Sequence, residues 1–142
     1  MADPPIFVDF ATLTPTARPN NWLVAPESAV RASVDAIAPV FEVPPARLAK
    51  AWLAVVRAEP RTIIIAVSTD GLKVEASQRS RVFRFVDRIS AQVFPMDADR
   101  STIAVYSRSL VGYWDMRVNR LRIERWLNAL GARLAARGDG HD

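Results

Sequence analysis

The chain has 142 residues, half of them hydrophobic, with a formal charge of +4 and no cysteine. That length suits one domain around a single core, and the missing thiols exclude disulfides, thiolate nucleophiles and cysteine-based zinc or iron–sulfur sites. The one histidine, His141, follows Gly138 and Gly140 in what reads as a frayed tail, 138–142, so it is not expected to serve as a base or ligand. No metal, cofactor or catalytic group is expected.

No stretch approaches the roughly 18 consecutive apolar residues of a membrane span. Met1 to Phe10 carries no positive region followed by an apolar block, so no signal peptide is read and a cytoplasmic protein is expected. The basic balance, with a pI of about 10.3, invites a nucleic-acid reading. Lysine occurs only at 50 and 73, however, and the arginines are scattered among acids. A basic pI without a patch or motif is a weak footprint, so nucleic-acid binding is kept only as an alternative.

Residues 1–44 are punctuated by Pro4, Pro5, Pro15, Pro19, Pro26, Pro39 and Pro44. Each lacks an N–H and pushes its predecessor toward extended geometry, which argues against long helix. Ile6, Phe7, Phe10, Trp22, Leu23, Ile37 and Phe41 make the segment too apolar for a disordered tail. It reads as an extended segment wrapped over the core, with a short strand at Trp22 to Ala25 and a turn or two of helix between Glu27 and Ala36.

Pro45 suits the first position of a helix. Leu48, Trp52, Val55 and Val56 then recur at helical spacing up to Pro60, which predicts a helix over 45–58. The run 62–68 is β-branched and almost wholly apolar, as expected of a central strand or one covered on both faces. Asp70-Gly71 is a strong hairpin signal, and 72–77 alternates with period two. A third strand over 83–94, a loop over 95–100 and a fourth strand over 101–109 complete an expected four-stranded antiparallel meander. Asn119, Ile123, Trp126, Leu127, Leu130 and Leu134 form one stripe, predicting a C-terminal helix over 117–137 that lies on one sheet face. The fold class is therefore α+β, in one domain spanning 1–142.

The third strand places the polar residues. Its odd positions, Phe83, Phe85, Asp87, Ile89, Ala91 and Val93, share a face, so Asp87 lies on an otherwise apolar surface. A loop centred near Ala98 sets Val93 opposite Ile103, Ala91 opposite Val105, Ile89 opposite Ser107 and Asp87 opposite Ser109. Asn119 heads the apolar stripe of the last helix and meets the same end of the sheet. Asp115 precedes that helix and suits its N-cap or dipole. A buried carboxylate needs a partner, and Arg122 and Arg108 are the candidates for Asp87. On the outward face Arg88 falls opposite Arg108. Like charges so opposed are unfavourable, so either an anion sits there or the register differs; Glu75 beside Arg84 is the expected cross-strand ion pair.

The run Ile103-Ala-Val-Tyr-Ser-Arg-Ser-Leu-Val-Gly112-Tyr-Trp-Asp115-Met-Arg-Val-Asn119-Arg-Leu-Arg122 resembles the signature of the domain of unknown function 1499 family. So do Arg18-Pro-Asn-Asn-Trp-Leu-Val, Pro60-Arg61-Thr and Gln78-Arg-Ser with Phe83-Arg-Phe-Val-Asp87. In that family the turn usually reads Gly-Tyr-Ser-Asp; here Trp114 replaces the serine and Met116-Arg117 the residues that follow. The resemblance implies no reaction, cofactor or partner. Because many members carry an N-terminal anchor or export signal, it implies an exported or anchored full-length form as the alternative to a cytoplasmic one.

The expected function is binding without catalysis, of a small molecule or a protein partner, with Asp87, Ser107, Arg108, Ser109, Asp115, Asn119 and Arg122 as ligand-binding candidates. A cavity between sheet and last helix, lined by Trp52, Phe85, Trp126 and Trp22, would fit the usual anatomy of such sites. The same polar residues can instead form an internal network. The enzymatic alternative uses Asp87 or Asp115 as base and Arg108, Arg120 or Arg122 as anion clamp.

Overall fold

The structure is a computed structural model that describes residues 6–81, 85–111 and 117–137. The described elements are β1 (Asn21–Ala25), a single 3-10 turn (Glu27–Ala29), β2 (Ala36–Ile37), β3 (Val40–Phe41) and α1 (Pro45–Ala58), followed by β4 (Thr62–Val67), β5 (Lys73–Arg79), β6 (Val86–Asp97), β7 (Arg100–Ser109) and α2 (Val118–Arg137). The chain is α+β, but its sheet is seven-stranded and mixed, not a four-stranded antiparallel meander. The order is β2-β1-β7-β6-β5-β4, with β3 also on β7 and β1 parallel to β2. The three additional strands come from the segment expected to wrap: β1 matches the short strand expected at Trp22 to Ala25, while β2 and β3 were not expected. Its prolines interrupt strand pairing without preventing short ladders, because β1 holds no proline between Asn21 and Ala25.

Both helices lie on one face of the sheet. Pro45 opens α1 at a position where its missing N–H costs nothing. The helix then turns Leu48, Trp52, Val55 and Val56 inward. From α2, Ile123, Trp126, Leu130 and Leu134 reach the same layer, over Val74, Ala76, Ile89, Ala91, Val93, Ile103 and Val105. Trp52 and Trp126 pack ring on ring, centroids 5.8 Å apart at 59°, and both are essentially inaccessible. They are core, not cavity wall. Phe85, expected beside them, is 48 % exposed, since regular pairing begins only at Val86.

The opposite face is covered too. Leu23, Ala25, Ala104 and Tyr106 form a second small core with Phe10 and Val30, against which Val8, Leu13, Val34 and Phe94 pack. This explains why β7 is buried at every position from Ser101 to Ser107, instead of alternating as a one-sided strand would.

The expected β6–β7 register is the observed one: Asp87 faces Ser109, Ile89 Ser107, Ala91 Val105 and Val93 Ile103. The strands run on to Asp97 and restart at Arg100, so the connection is shorter than the expected loop. Asp97 accepts hydrogen bonds from the Asp99 N–H (2.9 Å) and Arg100 Nε (2.8 Å) there. At the β4–β5 hairpin Gly71 adopts φ +79°, a conformation open to glycine at little cost. The 62–68 run is not central: β4 is an edge strand, with Ile63, Ile65 and Val67 exposed and a register shift between Ile64 and Ala66. Gly112, Asp115 and the 138–142 tail lie outside the described residues.

Candidate functional site

On the helix-side face Gln78, Asp87 and Ser109 lie abreast on β5, β6 and β7. Arg122, one turn into α2, reaches down onto them. Its Nη2 donates to Asp87 Oδ2 (2.6 Å), its Nε to Gln78 Oε1 (2.6 Å), and its Nη1 to Ser107 Oγ (3.0 Å) and Asn119 Oδ1 (2.8 Å). Four of the five guanidinium N–H groups are thereby used. Ser107 Oγ donates to Asn119 Oδ1 (2.6 Å), while Asn119 Nδ2 donates to the Asn20 carbonyl (2.9 Å) and Ser109 Oγ (3.0 Å). Gln78 Nε2 extends the chain of bonds to the Pro60 carbonyl (3.1 Å).

Asp87 and Arg122 are 5 % and 4 % exposed, Asn119 and Ser107 0 %. Such a pair is tolerable in low dielectric because most of the guanidinium donors are also hydrogen-bonded to neighbouring polar groups. The network ties the start of α2 to three strands, the chain before β1 and the α1–β4 turn.

Arg108 is not part of it. This candidate partner of Asp87 projects from the other face, since it neighbours Ser109 on the same strand. There it faces Arg88 across the ladder, and the chain itself supplies the counter-charge. Glu75, 1 % exposed, accepts from Arg88 Nε (3.1 Å) and Ser90 Oγ (2.7 Å), and Ser90 Oγ accepts from Arg108 Nη1 (2.9 Å). Glu75 sits beside Ser90 on the neighbouring strand and pairs with Arg88; Arg84, its expected partner, lies outside the described residues. Its second oxygen accepts the Val8 N–H (3.3 Å), and Tyr106 Oη accepts the Thr16 N–H (3.1 Å), which pins the N-terminal segment to this face. Arg108 also stacks 4.9 Å from the Tyr106 ring centroid. Burial lowers its pKa, with the Glu75 charge acting in the opposite sense.

Of the seven candidate residues, Asp87, Ser107, Ser109, Asn119 and Arg122 are brought together, Arg108 is not, and Asp115 lies outside the described residues. Gln78 was the buried polar residue not anticipated, and Glu75 was anticipated only as a partner of Arg84, not as a buried acceptor. Gln78 continues the period-two face of Val74 and Ala76 by one step, and Glu75 needed knowledge that both sheet faces are covered.

Open concavities lie around this closed network. One, about 560 Å³, is walled by Pro15, Thr16, Arg18, Pro19, Asn21, Trp22, Ser33, Asp35, Arg117 and Arg120. Arg120 stacks over the Trp22 ring at 4.9 Å and pairs with Glu124 at 3.2 Å. Asp35 Oδ2 is held by the Leu23 N–H (2.8 Å). A second cleft of about 500 Å³ opens between the α1–β4 turn, the end of β5 and α2. Among the described residues, no group of His, Cys, Asp and Glu is arranged to hold a metal ion, and no helix is long and apolar enough to cross a membrane.

The fold and junction define an α+β domain in which a buried arginine locks the C-terminal helix onto a mixed sheet. The chain belongs to the family described as protein of unknown function (DUF1499), which it matches over residues 3–130. No curated protein matches it. It is similar in outline to a solved START superfamily protein from Mycobacterium smegmatis, at 12 % identity and a TM-score of 0.38 over 70 % of this chain and 92 % of that one. A likeness that distant carries no functional argument.

Proposed function

We propose that the protein is a non-enzymatic binding domain whose ligand is a small amphipathic organic molecule, taken up in the Trp22 cleft. The observation that carries this is the Trp22–Arg120 pair at the wall of a cleft of about 560 Å³. An aromatic face and two prolines offer an apolar bed, while guanidinium groups, Thr16, Ser33 and Asp35 offer polar contacts at its margin. Pockets of this size with a few convergent polar groups are the usual form of small-molecule sites. The expected site at Asp87 supports the reading indirectly. Its carboxylate is committed to Arg122 at 2.6 Å, which leaves it poorly placed to act as a base and well placed to hold the cleft's helix.

The test is a titration of labelled protein with aromatic and aliphatic carboxylates, followed at the Trp22 indole resonance, together with native mass spectrometry for a retained ligand. Binding that is lost in Trp22→Ala and weakened in Arg120→Gln is expected. Binding indifferent to both changes would sink the assignment of this cleft. A protein-interaction role is a second reading, favoured by one observation: the outer edge of β4, unpaired among the described residues, exposes Ile63, Ile65 and Val67.

A further inference from the structure

A different cleft carries a second assignment. Between the α1–β4 turn, the end of β5 and α2, the described lining includes Arg61, Arg79, Arg81 and Arg125, all exposed, above the buried Gln78 and Arg122. Glu59 is the one acid among these described lining residues, and it is already engaged: its Oε1 accepts from Trp126 Nε1 (2.8 Å) and Arg125 Nη2 (3.3 Å). Arg122 is neutralised by Asp87. Arg79 and Arg81 have no ion pair among the described residues. With four exposed arginines and one acid among its described lining residues, the cleft carries a net positive charge, which raises the local potential.

Its frame is fixed in advance. Arg61 holds φ +54°, a left-handed conformation that costs a non-glycine residue on the order of 1 kcal/mol or more. The turn is kept there by four bonds. The Arg79 N–H donates to the Arg61 carbonyl (3.0 Å) and Arg61 Nε returns a bond to the Arg79 carbonyl (3.1 Å). Gln78 Nε2 and Thr62 Oγ1 both donate to the Pro60 carbonyl (3.1 and 2.8 Å). The Asp87–Arg122–Gln78 network therefore continues into the rim of this cleft. Pro60-Arg61-Thr62, Gln78-Arg79-Ser80 and the Arg122 turn, separate in sequence, meet at one place.

We infer that this cleft is a binding site for a phosphate-type dianion, presented by a phosphorylated small molecule or a lipid headgroup. Guanidinium groups match phosphate oxygens in pairs and remain charged at all physiological pH. A dianion answers several of them at once, whereas a single carboxylate would leave charge uncompensated. The confined, walled shape favours a compact phosphate group over the extended track that a nucleic-acid backbone requires.

The experiment is calorimetric titration of the full chain with inorganic pyrophosphate, in parallel with an Arg79→Gln/Arg81→Gln variant. Saturable binding is expected, weakened roughly tenfold or more in the variant, as loss of charge-assisted hydrogen bonds implies. Thermal unfolding without ligand should be the same for both proteins, because neither side chain makes an ion pair among the described residues. Flotation with phosphatidic acid and phosphatidylcholine vesicles separates the sources: selective capture on phosphatidic acid that the variant loses assigns a lipid headgroup, and pyrophosphate binding alone assigns a soluble ligand. Absence of pyrophosphate binding, or equal binding by the variant, would overturn the inference. Neither result depends on the Trp22 cleft.

Discussion

Arg88 and Arg108 stand directly opposite each other on β6 and β7, and the carboxylate of Glu75 draws both toward one point. Directly opposed like charges are destabilising in an antiparallel pair. Here a third strand supplies the counter-charge, through Arg88 and through the Ser90 hydroxyl that Arg108 contacts. The same carboxylate receives the Val8 N–H, so charge compensation and the covering of the back face are a single arrangement.

Glu75→Gln should accordingly lower stability by about 1.5–3 kcal/mol, the range for a buried bond to a charged group, measured as a fall in the urea midpoint. Hydrogen exchange should also quicken at Val8 and Thr16. Unchanged protection there would mean that the N-terminal segment is held by its apolar contacts alone.

Arg122→Met leaves the Asp87 carboxylate buried without its cation and should cost about 3–5 kcal/mol. Asp87→Leu/Arg122→Met removes both charges and should cost clearly less than the sum of the two single changes. The coupling follows from a double-mutant cycle in urea. Simple additivity would show that the pair does not act as a unit.

How far these relationships could be read from sequence varies with their range. The Asp87–Ser109 register was legible because an alternating strand and a short turn leave few alternatives, and Asn119 was legible because a polar residue interrupts an apolar helical stripe. The strands at Asn21–Ala25, Ala36–Ile37 and Val40–Phe41 were only partly so: prolines flank them, β1 and β3 pair with β7 far along the chain (Asn21 faces Arg108, Val40 faces Thr102), and β2 pairs with β1. For β4 the error came from composition. Three consecutive isoleucines suggest burial on both sides, yet an edge position leaves Ile63 62 % exposed. Ala104 and Tyr106 held the missed clue to a second covered face, since both positions are apolar on the side first taken as outward.

Ile63→Lys tests that exposed edge. Charged side chains are a common means of blocking edge-to-edge association. The substitution should change unfolding free energy by less than about 0.5 kcal/mol while reducing self-association at high concentration, followed by light scattering after gel filtration. A large loss of stability would place Ile63 in a contact not seen here.

Asp70 gives a dependence on pH. At the β4–β5 hairpin its Oδ1 accepts from Ser68 Oγ (2.6 Å) and the Leu72 N–H (3.0 Å), and these bonds hold its pKa below the ordinary 3.8, Ser68 contributing most. A carboxyl held low in the folded state contributes stability that is complete above its unfolded value and is lost as pH falls through the folded one. Asp70→Asn should therefore unfold at lower temperature than the parent near neutral pH, with the gap closing below about pH 4. A gap that persists at lower pH would assign the effect to geometry instead of charge.

The seat of β1 between β2 and β7 has a consequence for how the protein is made. Residues 21–25 leave the ribosome early, but the strand they must join is finished only when Ser109 has been synthesised. Until then β1, with Trp22 and Leu23 among its apolar side chains, has only the short β2 to pair with. Non-local pairing of this kind slows folding, and it makes the first strand translated one of the last to be seated.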